Sequence, residues 1–467
     1  MILRYLKRFV GIVLALALTV AVCIAVFGRD LMHIATGSVS HALCAATFIS
    51  GFDPDQVYRE QELPENGMHW IDWALHYDID RVRQEVRTTV VGAFGARAVF
   101  RQGLGCVLVH GNDEIPRVDA EVREPVAASA FAGPNVVEPT DPALRKALDF
   151  AFAEPDPVHL RWTKAVVVLH DGRLIAERYA PGYGPDTSIW AHSLSKSLTS
   201  ALIGILVNQG KLRREQPAPI AAWGDPADPH HAITVDQLVR MTSGLPFDET
   251  NSPVNPATRM WFLERDMAGY AEHEPLAHPP GTAWGYSNLG YLILSRIVRD
   301  AAGGGIVDAE RFARRELFEP LGMRTMTIDH DITGTPLGAS HTYGSARDWA
   351  RFGQLYLDDG VADGRRILPE GWASYSASQS LDTGYGAGFW TNLVNEGSVP
   401  IWNAPWGMPR LPKDMFFARG YLGQYIVIVP SERLVVARFG LTHDGSTGIG
   451  GAVADIITAL HGQPAQP

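Results

Sequence analysis

Basic charge is scarce in this 467-residue chain: 40 Lys and Arg stand against 51 Asp and Glu, a net charge of −11. No basic stripe accompanies any predicted element, so nucleic acid is not an expected partner. Cysteine is scarcer still, with only Cys23, Cys44 and Cys106. There is no Gly-x-Ser-x-Gly elbow, because Gly285-Tyr-Ser287-Asn-Leu289 lacks the closing glycine. The histidines at 273 and 278 have the wrong spacing for a zinc helix and a proline between them. Nothing reads as a nucleotide loop, an internal repeat or a low-complexity segment. We therefore expect no metal and no cofactor.

Long apolar runs are absent too, except at the start. Arg4, Lys7 and Arg8 precede Phe9–Gly28, twenty residues without a charge, and Arg29 and Asp30 close the run. That length spans a bilayer as a helix, and the leading positive flank keeps the N-terminus in the cytoplasm. No Ala-x-Ala site is present and Val22 precedes Cys23, so we read residues 9–28 as an uncleaved membrane anchor; a cleaved signal is the alternative. Either way the remainder is exported, periplasmic or extracytoplasmic. In an oxidising compartment Cys44 and Cys106 form the expected disulfide, worth about 3–5 kcal/mol on the loop-entropy account. Two buried free thiols are the alternative.

Three regions follow: 1–29 as anchor or signal, 30–144 as an accessory region, and 145–463 as the main domain. The accessory region shows a helical stretch around Asp53–Glu62 and strand-like pieces at Arg87–Val91, Ala96–Arg101 and Gly105–Val109. Segment 111–144 reads as a wrapping linker. The main domain opens with a hairpin, Ala165–Leu169 and Leu174–Tyr179, turning at Asp171-Gly172. It ends with a second, Gln424–Val429 and Leu434–Phe439, and a helix over Gly448–Leu460. Helical stretches occupy 233–242, 287–301, 306–316 and 345–359. An α+β fold results: one antiparallel sheet built from both ends, flanking helices and a helical subdomain.

Chemistry concentrates in Ala191-His-Ser-Leu-Ser-Lys-Ser-Leu-Thr-Ser200. Ser193 and Lys196 are three apart at the start of what reads as an amphipathic helix, so both lie on one face. A hydroxyl needs an adjacent base to become a nucleophile, and a buried lysine can serve. Two further elements stand out. Tyr286-Ser287-Asn288, after Pro279-Pro-Gly, opens a helix and offers a phenol and an amide. Ala418-Arg419-Gly420-Tyr421 leads into a strand, where glycine allows close approach and Arg419 offers a cation.

Ser-x-x-Lys, Tyr-x-Asn and a glycine-bearing strand, in this order over roughly 145–463, resemble the serine β-lactamase and penicillin-binding-protein superfamily. Tyr-Ser-Asn is similar to the class C-related branch, typified by 6-aminohexanoate-dimer hydrolase and family VIII esterases. The resemblance implies that Ser193 is acylated, Lys196 is its base, Tyr286 relays protons and Asn288 orients substrate and lysine. It implies an oxyanion hole from the backbone N–H groups of Ser193 and Tyr421. Small ester or amide substrates follow, with D-amino-acid peptides a further choice. One departure limits this: Arg419 sits one residue from the cation of Lys-Thr-Gly, so on a strand it turns to the other face. Little or no β-lactamase activity is expected. A non-catalytic envelope-binding or regulatory relative is the competing reading, and His192 is read as structural. Trp261, Trp284, Trp390, Trp402 and Trp406 suggest an aromatic-walled cleft, with 396–415 as its lid.

Overall fold

The computed structural model describes residues 28–111, 113–115, 135–247, 249, 255–393, 408–443 and 446–462. The expected anchor up to residue 27, most of the 111–144 linker, Trp402, Trp406 and most of the 396–415 lid lie outside the described residues.

A six-stranded antiparallel sheet organises the main domain. Its spatial order is Trp390–Thr391, Phe416–Gly420, Gln424–Val429, Leu434–Gly440, Thr163–His170, Arg173–Tyr179, so strands from both sequence ends complete one sheet. The first hairpin turns at Asp171 and Gly172, both at positive φ (48° and 72°), the geometry that two-residue hairpin loops require. The central strands are buried along their whole length, which demands cover on both faces. The Ala346–Leu357 helix lies close on one: a Cβ added to Gly353 would come within 2.6 Å of Val435. The Pro142–Phe152 and Ile449–His461 helices pack together, and the former lies against Thr163–His170.

The helix carrying Lys196 runs from Leu194 to Asn208. It is not amphipathic: every residue from Leu194 to Leu206 is buried. Its hydroxyls compensate by donating to backbone carbonyls, Ser197 to Gly388 at 2.5 Å, Thr199 to Gly338 at 2.8 Å and Ser200 to Ala387 at 3.1 Å. This helix packs against Asn288–Ala302, the hub of the helical subdomain.

In the accessory region four strands, Leu75–Asp80, Glu85–Val90, Phe94–Arg101 and Gly105–Val109, form an antiparallel meander in sequence order. Across it lies a helix, Gly28–Ser50, long and apolar enough to cross a membrane but 67% buried inside the protein over its most apolar window. The sequence pattern ended the apolar run at Gly28 and gave no helix over residues 30–50, so this element is an addition to the expected architecture. A disulfide joins Cys44 on the helix to Cys106 on the fourth strand. Burial of Val39, Leu43, Val86, Ala98 and Cys106 gives this region its own core. It meets the main domain through buried polar contacts. Asp329 accepts the Cys106 N–H at 2.7 Å and pairs with His41 Nε2 at 2.8 Å.

Candidate active site

The chain reaches Ser193 through a forced turn. Strand Ile189–Trp190 pairs with Thr342–Gly344, and His192 follows at φ 50°, a conformation that is costly for a side chain with a Cβ. Stacking on Trp190, with ring centroids 4.2 Å apart, holds the His192 ring to the side. Ser193 is then the first residue before the helix and remains partly exposed, whereas Lys196, one turn in, is only 1% exposed.

Burying an ammonium is expensive unless its donors are met. Lys196 Nζ lies 3.0 Å from Ser193 Oγ, 2.7 Å from Asn288 Oδ1 and 2.8 Å from the Ala339 carbonyl. Asn288 begins its helix beside the N-cap Ser287, whose hydroxyl accepts from the Gly290 N–H. Its amide donates to Glu249 Oε1 at 3.0 Å, which turns Oδ1 toward the lysine. Ser193, Lys196 and Asn288, far apart in sequence, thus form one hydrogen-bonded cluster.

Tyr286 joins from above. The Lys196 Nζ sits 4.7 Å from its ring centroid, and the ring stacks on Trp390 at 5.7 Å with 9° between planes. Trp284 and Tyr385 complete this aromatic wall, Tyr385 edge-on to Tyr286 at 6.1 Å. Burial pushes the Tyr385 phenol well above its ordinary range, and neighbouring Tyr286 adds to it. Of the tryptophans named from sequence, Trp284 and Trp390 are therefore in this wall. Trp261 is not: it packs on His341 at 4.7 Å and lines a separate cavity with His41, His110, His330 and Asp331. Its spacing in sequence carried no information about which side of the helical subdomain it faces.

The third element closes the far side. A Cβ on Gly420 would fall 2.3 Å from the Ala191 carbonyl, so only glycine lets this strand end lie against the backbone preceding Ser193. Arg419 pairs across the strand with Tyr425, its guanidinium 6.0 Å from that ring. Tyr421 follows, half exposed, its hydroxyl donating to Glu65 of the accessory region at 2.8 Å.

The two histidines nearest this cluster in the fold are held neutral. Burial, reinforced by the Lys196 charge, lowers His192 to about 3, so it stays neutral at physiological pH. His341 is lowered well below its ordinary value by burial, then by His41, His192 and Lys196. His273 Nδ1 donates to the Gly269 carbonyl at 2.7 Å, and among the described residues no group of three or more His, Cys, Asp or Glu is placed to hold a metal.

Two members of the cluster around Lys196 escaped the sequence reading. Ala339 acts through a backbone carbonyl 143 residues away, which no side-chain pattern reveals. Glu249 touches the cluster through Asn288, and an isolated carboxylate in a loop gives no signal of that.

Comparison with known proteins agrees with this geometry. A family model described as Beta-lactamase matches residues 163–446. The chain is 26% identical over 346 residues to the 6-aminohexanoate-dimer hydrolase of Paenarthrobacter ureafaciens, covering 70% of this chain and 86% of that protein. It is 28% identical over 311 residues to penicillin-binding protein 4 of Amycolatopsis lactamdurans, covering 58% and 74%. Among solved structures it is similar to EstCE1, a hydrolase with promiscuous acyltransferase activity, with TM-score 0.52 and 16% identity over 68% of this chain and 99% of that one. At that identity the likeness is one of fold.

Proposed function

The chain belongs to the beta-lactamase family of serine hydrolases, and we propose that it cleaves ester or linear amide bonds through an acyl-enzyme on Ser193. The observation that carries this reading is the set of oxygens around Lys196. A neutral amine has two N–H donors and one lone pair. In that form the amine can donate to Asn288 Oδ1 at 2.7 Å and to the Ala339 carbonyl at 2.8 Å while its lone pair takes the proton of the Ser193 hydroxyl at 3.0 Å. The two fixed acceptors thus orient the amine as a base.

In acylation Ser193 Oγ attacks the substrate carbonyl carbon while its proton passes to Lys196 Nζ. The carbon–heteroatom bond then breaks, and the leaving group takes a proton through the Tyr286 hydroxyl. Water repeats the sequence in reverse and releases the acid. The N–H groups of Ser193 and Tyr421 stabilise the oxyanion, where losing one donor typically costs about a hundredfold or more in turnover. Asn288 holds the lysine and orients the substrate. Gly420 allows the strand to approach, and Arg419 borders the site.

Arg419, placed one position off the Lys-Thr-Gly cation, supports linear substrates over β-lactams, whose carboxylate that cation would bind. The similarity to a 6-aminohexanoate-dimer hydrolase supports the same choice, since such a dimer is a linear amide. We further propose that residues 9–28 anchor the enzyme in a membrane with the catalytic domain outside the cytoplasm.

A fluorophosphonate probe tests the catalytic reading. Labelling of the native protein that disappears in both Ser193→Ala and Lys196→Ala is expected, and a screen of p-nitrophenyl esters against small amides then ranks the substrates. Well-folded protein that takes no label would instead fit the non-catalytic binder.

A further inference from the structure

The accessory region carries an exposed apolar patch that the catalytic reading does not use. Trp70 is 74% exposed, Trp73 83% and Val91 60%. The Trp73 indole N–H donates to the Trp70 carbonyl at 3.1 Å, which ties the two residues into one surface. The Val91 N–H donates to the Ala74 carbonyl at 3.0 Å, which brings the turn after Glu85–Val90 beside them. Large exposed apolar side chains clustered in this way mark an interaction surface.

The helix Gly28–Ser50 shows which end of the molecule this is. Its His33 ring meets Phe94, at the start of the third strand, at 6.0 Å. Further along, Ser40 bonds Thr88 and the Ala96 carbonyl, and Phe48 stacks on Phe100 at 5.8 Å. The helix start therefore lies where Phe94 pairs with Val90 and Val90 with Leu75, two residues from Trp73. The same end receives the chain from Phe9–Gly28, the uncharged run of twenty residues, with no linker between. Asp30, paired with Arg259 at 2.7 Å, fixes that first turn to the main domain.

We propose that Trp70, Trp73 and Val91 rest in the headgroup layer of the membrane that holds residues 9–28. Tryptophan favours that layer because its ring is apolar and amphipathic. Trp70, Trp73 and Val91 carry no charge, so this contact is aromatic and does not depend on anionic lipid. The contact rests on the anchor reading and is independent of the chemistry at Ser193. It fixes the orientation of the whole ectodomain, because the accessory and main domains share the buried Asp329 contacts.

The test uses the full chain in phosphatidylcholine vesicles with and without brominated acyl chains near the headgroup. Residues 9–28 contain no tryptophan, so quenching reports only on tryptophans that the body of the protein brings to the bilayer. Two of the 12 tryptophans are in the patch, and a loss of about one sixth of the emission is expected if all emit equally. The variant with Trp70→Phe and Trp73→Phe, both surface changes, should lose that quenching while fluorophosphonate labelling of Ser193 is kept. Three results overturn the proposal: no quenching of a chain that resists carbonate extraction, quenching that persists in the double variant, or a chain released from the vesicles by leader cleavage. Label lost from Ser193 with quenching intact would instead fault the catalytic reading alone.

Discussion

Two buried ionic sites in this protein are built alike and do opposite work. At Asp329, fully buried, the carboxylate takes the His41 imidazole at 2.8 Å and the Cys106 N–H at 2.7 Å, and every partner belongs to the interior. At Lys196, 1% exposed, the amine is ringed by oxygens, but one of them, Ser193 Oγ, belongs to a partly exposed residue. The first arrangement clamps two regions together. The second, on the proposed reading, holds a base ready for a substrate. What separates them is the accessibility of one partner, since in both the buried polar group has its hydrogen bonds met by the protein.

The largest effects should fall on the accessible site. Ser193→Ala should abolish turnover, and Lys196→Ala should lower kcat/KM by at least about a thousandfold with little change in melting temperature, as measured on an activated ester. Asp329→Ala should do the reverse. Removing one partner from a buried pair costs about 3–5 kcal/mol, read by urea unfolding, while fluorophosphonate labelling of the folded fraction persists. If Asp329→Ala instead silenced the serine at full stability, the contrast between clamp and catalyst would break.

Tyr286→Phe sharpens the catalytic side. The ring keeps its stack on Trp390, so stability should change by less than about 1 kcal/mol, while kcat falls about a hundredfold with KM nearly constant. Equal losses in a circular-dichroism melt and in kcat would mark Tyr286 as a packing residue.

A further contrast lies between acid and neutral pH, where the two regions should answer with opposite sign. His192 titrates near 3 in the fold and about 6.5 unfolded, so the unfolded chain binds more protons between these values. Stability from its neutral form is complete above about 6.5 and is lost as pH falls toward 3, by up to about 1.4 kcal/mol per pH unit. Glu62, buried in the accessory core, is raised to about 7 by desolvation. Its contribution is complete below about 4.5 and is lost as pH rises through 7. Denaturation curves of His192→Phe should flatten the acid limb only, and those of Glu62→Gln the neutral one only.

Much of this was legible from residue pattern. The two hairpins announced themselves by apolar runs around Asp171-Gly172 and Pro430, and the three site elements by residue type and order. Their meeting was not legible, because the acceptor at Ala339 is backbone and the Asn288–Glu249 bond depends on loop geometry. Leu75–Asp80 was legible in principle, since Leu-His-Tyr-Asp-Ile-Asp alternates apolar and polar residues as a half-buried edge strand does, but it sits in a segment read only as mixed. The helix from Gly28 hid in a stretch of mixed small, polar and apolar residues after the Arg29-Asp30 pair, and only tertiary packing separates a core helix from a membrane span.

Trapping the acyl-enzyme tests the central claim most directly. Full-length protein is quenched in acid seconds after mixing with a slowly deacylating ester, and its intact mass and peptide map are measured. We predict one acyl group per chain, attached to Ser193 and absent from Lys196→Ala. An adduct on any other residue, or turnover with no adduct on Ser193, would contradict the account.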